Sequence, residues 1–475
     1  MSDKKAKYIT TTLPYVNNSP HLGHAFEFVQ ADTLARYYRI LGHEVFFNTG
    51  VDEHGQKIAQ KADEAGIDRQ AYVDKYAAEF DNLKIAFNLS YDSFIRTTSE
   101  KHQQAAKEMW RRCEANGDIY KKTYKGLYCV GCEAFKIESD LIDGRCPDHL
   151  KVPEVIEEEN YFFRLSKYQT YLEEYLSDDK STLPNFRRLE LLSFVQGGLD
   201  DLSISRQKSR MDWGIPVPDD SEQVMYVWFD ALTNYISTLD WPSEEGDFKK
   251  FWMEGETLQL AGKDQLRFQS VIWQAMLKSA EIKATDKVVY HGFINSGGQK
   301  MSKSLGNVIS PYELIERYGT DATRYLLLRH VHPFDDTDIT WEKLDEWYTA
   351  NLVNGLGNLV ARVMKMAETH LLEFVSEIEY KDDQKEYWDK FEFQTLMDLS
   401  WNLIGDLDQY IQVTEPFKLV KEDKVKAQEI IVQLVQKLNI IATHLRPIMP
   451  ETSEIILKAI KENKKPDNLF KRLDP

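Results

Sequence analysis

Residues 8–24 read YITTTLPYVNNSPHLGH, and the helix that follows runs on toward a second apolar segment at Val45 to Phe47. Tyr8 to Leu13 is short and β-branched, the pattern of a strand. Ala25 to Leu41 carries helical periodicity, and Gly42 stops it before the second strand. Strand, helix, strand in this order is a βαβ unit, which builds a parallel sheet with ligands at the carboxyl ends of its strands. His21 to His24 falls at such an end. The class expected is therefore α/β.

Working outward, the pattern breaks up between about Gly117 and Trp213, where three of the four cysteines and an acidic run at Glu157 to Glu159 lie. This reads as an insertion that splits the sheet. Strand and helix order resumes with Leu258 to Ala261 before Gly262, then a helical Leu266 to Leu277, then a strand at Val288 to Tyr290. After Trp341 strand signals vanish. Ile430, Ile431, Leu434, Val435, Leu438, Ile441 and Leu445 form one apolar stripe, so a helical bundle follows. Five segments result: 1–116 and 216–299 as two halves of a catalytic domain, 117–215 as the insertion, 300–345 as a loop-bearing connector, and 346–475 as the bundle.

At 475 residues the chain exceeds one compact core, and 42% hydrophobic with 12% aromatic residues leaves no mark of disorder. No run approaches the ~20 apolar residues of a membrane span, and the polar start lacks a secretory signal, so a cytoplasmic protein with no membrane association is expected. A net charge of −18 argues against coating nucleic acid by bulk attraction. Local basic patches can still bind a folded RNA.

His21-Leu22-Gly23-His24 opens a helix whose N-terminus carries partial positive charge and suits phosphate. Gly23 lets a nucleotide approach the backbone, and the two imidazoles can donate to phosphoryl oxygens as charge builds. Two surface histidines beside a helix start would read the same way. Lys300-Met301-Ser302-Lys303-Ser304 follows the Gly-rich run from Asn295 to Gln299. Two lysines on a mobile loop can close over a triphosphate, although a solvated basic loop has the same composition. Cys129-x2-Cys132 and Cys146-x2-His149 have the spacing of a closed tetrahedral zinc knuckle, one structural Zn²⁺ per chain. Cys113, in a helical run, is expected to pack only.

Together HLGH and KMSKS resemble the paired signature elements of the class I aminoacyl-tRNA synthetases. The runs Leu13 to Asn17, Gly50 to Gly55 and Val227 to Tyr235 are similar to those of the methionyl-tRNA synthetases, of the type with one zinc knuckle. The resemblance covers essentially the whole chain. It implies a Rossmann-type sheet split by the knuckle insertion and followed by an anticodon-binding helical domain. It also implies a reaction in which L-methionine and ATP, with Mg²⁺ on the phosphates, give methionyl-adenylate and pyrophosphate before transfer to tRNA(Met). His21, His24, Lys300 and Lys303 would be catalytic. Gly23, Gly262, Asp264 and Ser302 would join them in holding ATP. Asp52 would pair with the substrate ammonium, and Leu13, Tyr15, Trp228, Ala231, Tyr235, Gln269 and Trp273 would line the side-chain pocket. Asn358 and Arg362, four apart on one helix, would read an anticodon base, and Phe417 would stack another.

The sequence departs from the family at Gln259 and Gln269, where histidine is usual, at Gln274 in place of proline, and at Phe417 in place of tryptophan. The end from Asn468 to Pro475 resembles the end of the family's core, and a monomer is expected. Two alternatives remain: a class I synthetase for cysteine, whose zinc would bind substrate from the pocket, and a synthetase-like chain that holds RNA without charging it.

Overall fold

The computed structural model describes residues 5–129, 134–136, 138–147, 150–301, 307–371 and 383–473. Its strands, in chain order, begin with β1 (Lys7–Thr11), β2 (Val45–Val51) and β3 (Ser93–Arg96). Next come β4 (Ile119–Cys129), β5 (Ala134–Lys136), β6 (Glu154–Phe163), β7 (Thr182–Leu183), β8 (Leu202–Ser203), β9 (Ser205–Gln207), β10 (Pro216–Val217) and β11 (Asp220–Met225). The last five are β12 (Glu256–Gly262), β13 (Lys287–His291), β14 (Ile294–Ser296), β15 (Gln299–Lys300) and β16 (Thr337–Asp338). The chain forms two compact units, one of residues 1–19, 44–82 and 91–290, the other of 20–43, 83–90 and 291–475.

The first unit is built on a six-stranded sheet ordered β3-β2-β1-β12-β13-β7. Strand β1 pairs in parallel with β2 on one side and β12 on the other, Ile9 lying opposite both Phe47 and Leu258. Its residues Tyr8 to Thr11 are wholly buried, as befits a central parallel strand covered on both faces. The strand order turns back beside β1, since β2 and β3 extend one way and β12 and β13 the other. Ligands bind in the crevice at such a switch point. Gly50 is required where β2 meets β3: a Cβ there would stand 2.0 Å from the Ile95 carbonyl oxygen.

Within residues 117–215, β4 and β6 form a long antiparallel pair running from Ile119 opposite Phe163 to Tyr128 opposite Glu154. The same segment also supplies β7, the parallel edge strand beside β13. Two residues of strand between helices left no alternating pattern to read, so a simple insertion was expected.

In the second unit helix α1 (Leu22–Ile40) begins three residues before its apolar pattern does, because His21 caps it. Arg324, fully buried on the helix Thr320–His330, pairs with Asp32 of α1 at 2.7 Å and donates to the carbonyls of Phe87, Pro447 and Ile448. A charge this deep is tolerable because every side of the guanidinium meets an acceptor. The expected bundle is present in helices Asn358–His370, Phe393–Thr414, Lys424–Leu445 and Pro450–Glu462, and the whole stripe from Ile430 to Leu445 is buried. Among the described residues, β16 is the last strand, and no helix is long and apolar enough to cross a membrane.

Candidate active site

Three of the expected substrate segments leave the carboxyl ends of adjacent strands at the switch point. Thr12, after β1, donates its N–H to Leu260 of β12 at 3.1 Å, and the chain continues to Leu13 and Tyr15. Strand β2 runs into Asp52, which forms an isolated parallel bridge with Tyr15: the Asp52 N–H donates to Pro14 at 2.9 Å and the Val16 N–H to Asp52 at 3.1 Å. Strand β12 ends at Gly262, and Asp264 sits in the short turn of helix that follows. Leu13, Tyr15, Asp52, Gly262 and Asp264 are thereby brought to one edge of the sheet. Parallel pairing of β2, β1 and β12 causes this directly.

The other residues expected to form the wall come from two helical stretches of the same unit. Trp228 stacks on Phe268 with ring centroids 3.8 Å apart, and Tyr235 lies 5.7 Å from Trp273. Ala231, Tyr235, Gln269 and Trp273 are all buried. Tyr8 of β1 donates its hydroxyl to the Tyr235 carbonyl at 2.7 Å, and Thr238 bridges Asn48 of β2 and Ser93 of β3. These buried polar bonds fix the segment carrying Trp228 and Tyr235 against the sheet.

Sequence reasoning gave no role to the buried carboxylate of Asp230, which lies between Trp228 and Ala231. Its two oxygens meet His54 Nδ1 and His102 Nε2, each at 2.7 Å, and His102 Nδ1 meets the Ser237 hydroxyl at 3.0 Å. Burial pushes the Asp230 carboxyl up, but the two imidazoles outweigh it and hold it below its ordinary value. His54 follows Asp52 by two residues, so this clamp ties the Asp52 loop to the Trp228 helix. Asp230 and His54 stood inside quoted runs, whereas His102, on a helix with no motif, carried no signal.

In the second unit the HLGH turn has a specific internal geometry. His21 Nδ1 accepts the Gly23 N–H at 3.1 Å, and His24 Nδ1 accepts the His21 N–H at 3.2 Å. The two rings stack 3.6 Å apart. Burial, then His21 and His291, push the His24 imidazole well below its ordinary value, so it is neutral at physiological pH. A neutral ring that accepts at Nδ1 carries its proton on Nε2. The space a Cβ would fill at Gly23 is taken by the His21 ring itself, 3.0 Å away at Cε1. His291, paired with Glu27 of α1 at 2.9 Å, stands at the root of the β14–β15 hairpin whose last residue is Lys300. HLGH and this hairpin are thus neighbours in one unit. Ser302 and Lys303 lie outside the described residues, as do Cys132 and His149 of the knuckle.

Cys129 closes β4, and Cys146 sits in a turn in which the Leu150 N–H donates to the Cys146 carbonyl at 2.7 Å; both cysteines are buried. No group of three metal-ligating side chains occurs among the described residues. In the bundle, Asn358 and Phe417 are exposed, and Arg362 donates to Asp408 at 2.7 Å.

The family model described as "tRNA synthetases class I (M)" matches residues 7–151 and 136–364. The chain belongs to this family. It is 39% identical to the methionine–tRNA ligase of Fusobacterium nucleatum over 98% of this chain and 76% of that one. To the methionine–tRNA ligase of Rickettsia bellii it is 38% identical over 98% and 94%. Among solved structures, Mycobacterium tuberculosis methionyl-tRNA synthetase in complex with methionyl-adenylate is similar with a TM-score of 0.89 at 35% identity, covering 99% of this chain and 98% of that one. The apo form of the same enzyme gives 0.84 at 32%. For a class I (M) synthetase, the parallel sheet split around β4–β6 and the bundle are the architecture its signature pair implied.

Proposed function

We propose that the chain is a methionine–tRNA ligase that activates L-methionine with ATP and transfers it to tRNA(Met) in the cytoplasm. The observation that carries this reading is the convergence of Leu13, Tyr15, Asp52 and Asp264 on the carboxyl edge of three adjacent strands. Asp52 holds the substrate ammonium by a charge-assisted contact. Leu13, Tyr15, Trp228, Ala231, Tyr235, Gln269 and Trp273 enclose the thioether, whose polarizable sulfur suits aromatic walls. Gly262 allows the ribose close to the backbone and Asp264 accepts from its hydroxyls.

The methionine carboxylate attacks the α-phosphorus of ATP, the bond to the bridging oxygen breaks, and pyrophosphate leaves. His21 and His24 donate from Nε2 to the phosphoryl oxygens as charge accumulates. Both donors are pre-oriented, because each Nδ1 is already engaged by backbone. Gly23 gives the His21 ring room to fold back. Lys300, Ser302 and Lys303 neutralise the departing pyrophosphate, and Mg²⁺ supplies further charge on the phosphates when bound. A ribose hydroxyl of the tRNA then attacks the methionyl carbonyl and AMP leaves.

A zinc ion suits Cys129, Cys132, Cys146 and His149. Around the two buried thiols Ile142, Leu150, Val152 and Val155 are each at least 66% exposed, so among the described residues these aliphatic side chains form no core there and a staple suits the lobe. The donor set leaves no open coordination position, and its role is structural. Asn358, Arg362 and Phe417 read the anticodon.

Pyrophosphate exchange measured with each of the twenty amino acids tests the assignment. Methionine alone should support exchange, and Asp52→Asn should raise the KM for methionine while leaving that for ATP within about twofold. Exchange driven by cysteine, or by none of the twenty, would overturn it.

A further inference from the structure

Beyond β2 the chain leaves the sheet at Asp52, and the backbone groups of the turn that follows must find partners elsewhere. The Asp52 peptide is paired with the segment after β1, and the Glu53 N–H donates to the Thr97 hydroxyl at 2.9 Å. Two further groups are met by Trp213, 160 residues beyond Glu53. Its indole Nε1 donates to the Glu53 carbonyl at 2.6 Å, and its own carbonyl accepts the Gly55 N–H at 2.9 Å. The indole also stands edge-on to the His54 ring, centroids 6.0 Å apart. Trp213 thus grips the turn on both sides of His54, whose ring Asp230 holds at 2.7 Å. Its own segment is tethered, Asp212 pairing with Arg69 at 2.6 Å and the Met211 N–H donating to the Gln207 carbonyl at 3.1 Å. Residue 213 lies in the stretch that reads from sequence as an insertion, so that stretch reaches back to the turn after β2.

Glu53 is fully buried, so removing the indole donor would leave its carbonyl bare and free the turn to shift in search of a partner. Asp52 would feel that shift. Its Oδ1 meets the His54 N–H at 3.4 Å and the Thr97 hydroxyl at 3.5 Å, contacts too long to fix the carboxylate by themselves. The first of these donors belongs to the turn that Trp213 grips. We infer that Trp213 is a positioning residue, acting through the Glu53–Gly55 turn to hold the Asp52 carboxylate where it meets the substrate ammonium. The inference rests on the assignment of Asp52 to that ammonium.

Trp213→Phe keeps an aromatic ring and removes the N–H. In pyrophosphate exchange it should raise the KM for methionine about five- to tenfold, the order of one lost hydrogen bond to a buried carbonyl, with kcat and the KM for ATP within about twofold. Desamino-methionine, which lacks the ammonium, makes no use of Asp52, so its inhibition constant should stay within about twofold. In an Asp52→Asn background, Trp213→Phe should add less than about twofold to the methionine KM, because its route of action is already cut. Should Trp213→Phe not fold, Trp213→benzothienylalanine, introduced by amber suppression, keeps the whole ring outline with sulfur in place of the N–H and should give the same pattern. A methionine KM that stays put in the variant that folds, or an equal weakening of desamino-methionine, would overturn the positioning role. The parent assignment fails differently: Asp52→Asn alone would then leave the methionine KM unchanged.

Discussion

His24 owes its readiness to a helix cap. The reciprocal bonds between His21 and His24 at the start of α1 spend both Nδ1 atoms on backbone N–H groups and leave each neutral ring with one proton, on Nε2. Because burial and the two neighbouring imidazoles keep His24 uncharged, in the role proposed for it the ring would act as an oriented dipole rather than an acid. His24→Ala should therefore lower kcat for pyrophosphate exchange by roughly 10²–10³-fold, the loss typical of one oriented donor, with KM for methionine nearly unchanged. A steady-state comparison of the two parameters checks it; equal losses in both would mean that the ring only shapes the ground state. A two-histidine cap is outside the usual Ser, Thr, Asp and Asn repertoire, which is why periodicity alone started the helix at Ala25.

At the scale of elements, what could be read beforehand was whatever repeats with a period. Strands β1, β2, β12 and β13 and the stripe on Lys424–Leu445 announced themselves, since each buries a long face. Strand β7 is two residues long, and the clamp of His54 and His102 on Asp230 joins residues far apart in sequence, so neither left a local trace. On the proposed zinc reading, the lobe around Cys129 and Cys146 depends on its ligands more than on packing. One zinc per chain should be found by elemental analysis, and stripping it should expose residues 130–150 to proteolysis while α1 stays protected; a metal-free chain with an intact lobe would end the zinc assignment. In the anticodon role proposed for the bundle, Arg362 would exchange Asp408 for a nucleotide, and Phe417 offers a ring that is 46% exposed. Phe417→Ala should cut kcat/KM for tRNA charging roughly tenfold or more, in line with one lost stacked base, and leave pyrophosphate exchange unchanged.

For the molecule as a whole, Asp32 and His330 are two of the groups through which acid destabilises it. Burial pushes the Asp32 carboxyl up, but Arg324, Arg36 and Ser90 outweigh it and hold it below its ordinary value. Its stabilising contribution is complete above ~3.9 and disappears as pH falls below that toward the folded value. His330, stacked 4.1 Å from Trp347, is pushed down to about 3 by burial and by Arg329. The folded form binds that proton later than the unfolded chain, so stability is whole above ~6.5 and drains away as pH drops from 6.5 toward 3. At pH 5 the penalty is on the order of 2 kcal/mol. His330→Phe keeps the stacking and should shrink the fall in Tm between pH 7 and pH 5, leaving the steeper loss below pH 4 in place. An unchanged fall would assign the upper window to other groups. The Arg324 knot also sets an order of events during synthesis. Its acceptors sit at Asp32, Phe87, Pro447 and Ile448, so a ribosome must pass residue 448 before the last carbonyls that solvate that buried cation exist. Until then α1 holds its carboxylate through Arg36, which needs none of those last carbonyls, and a nascent chain stalled short of residue 447 lacks two of the carbonyls that seat Arg324.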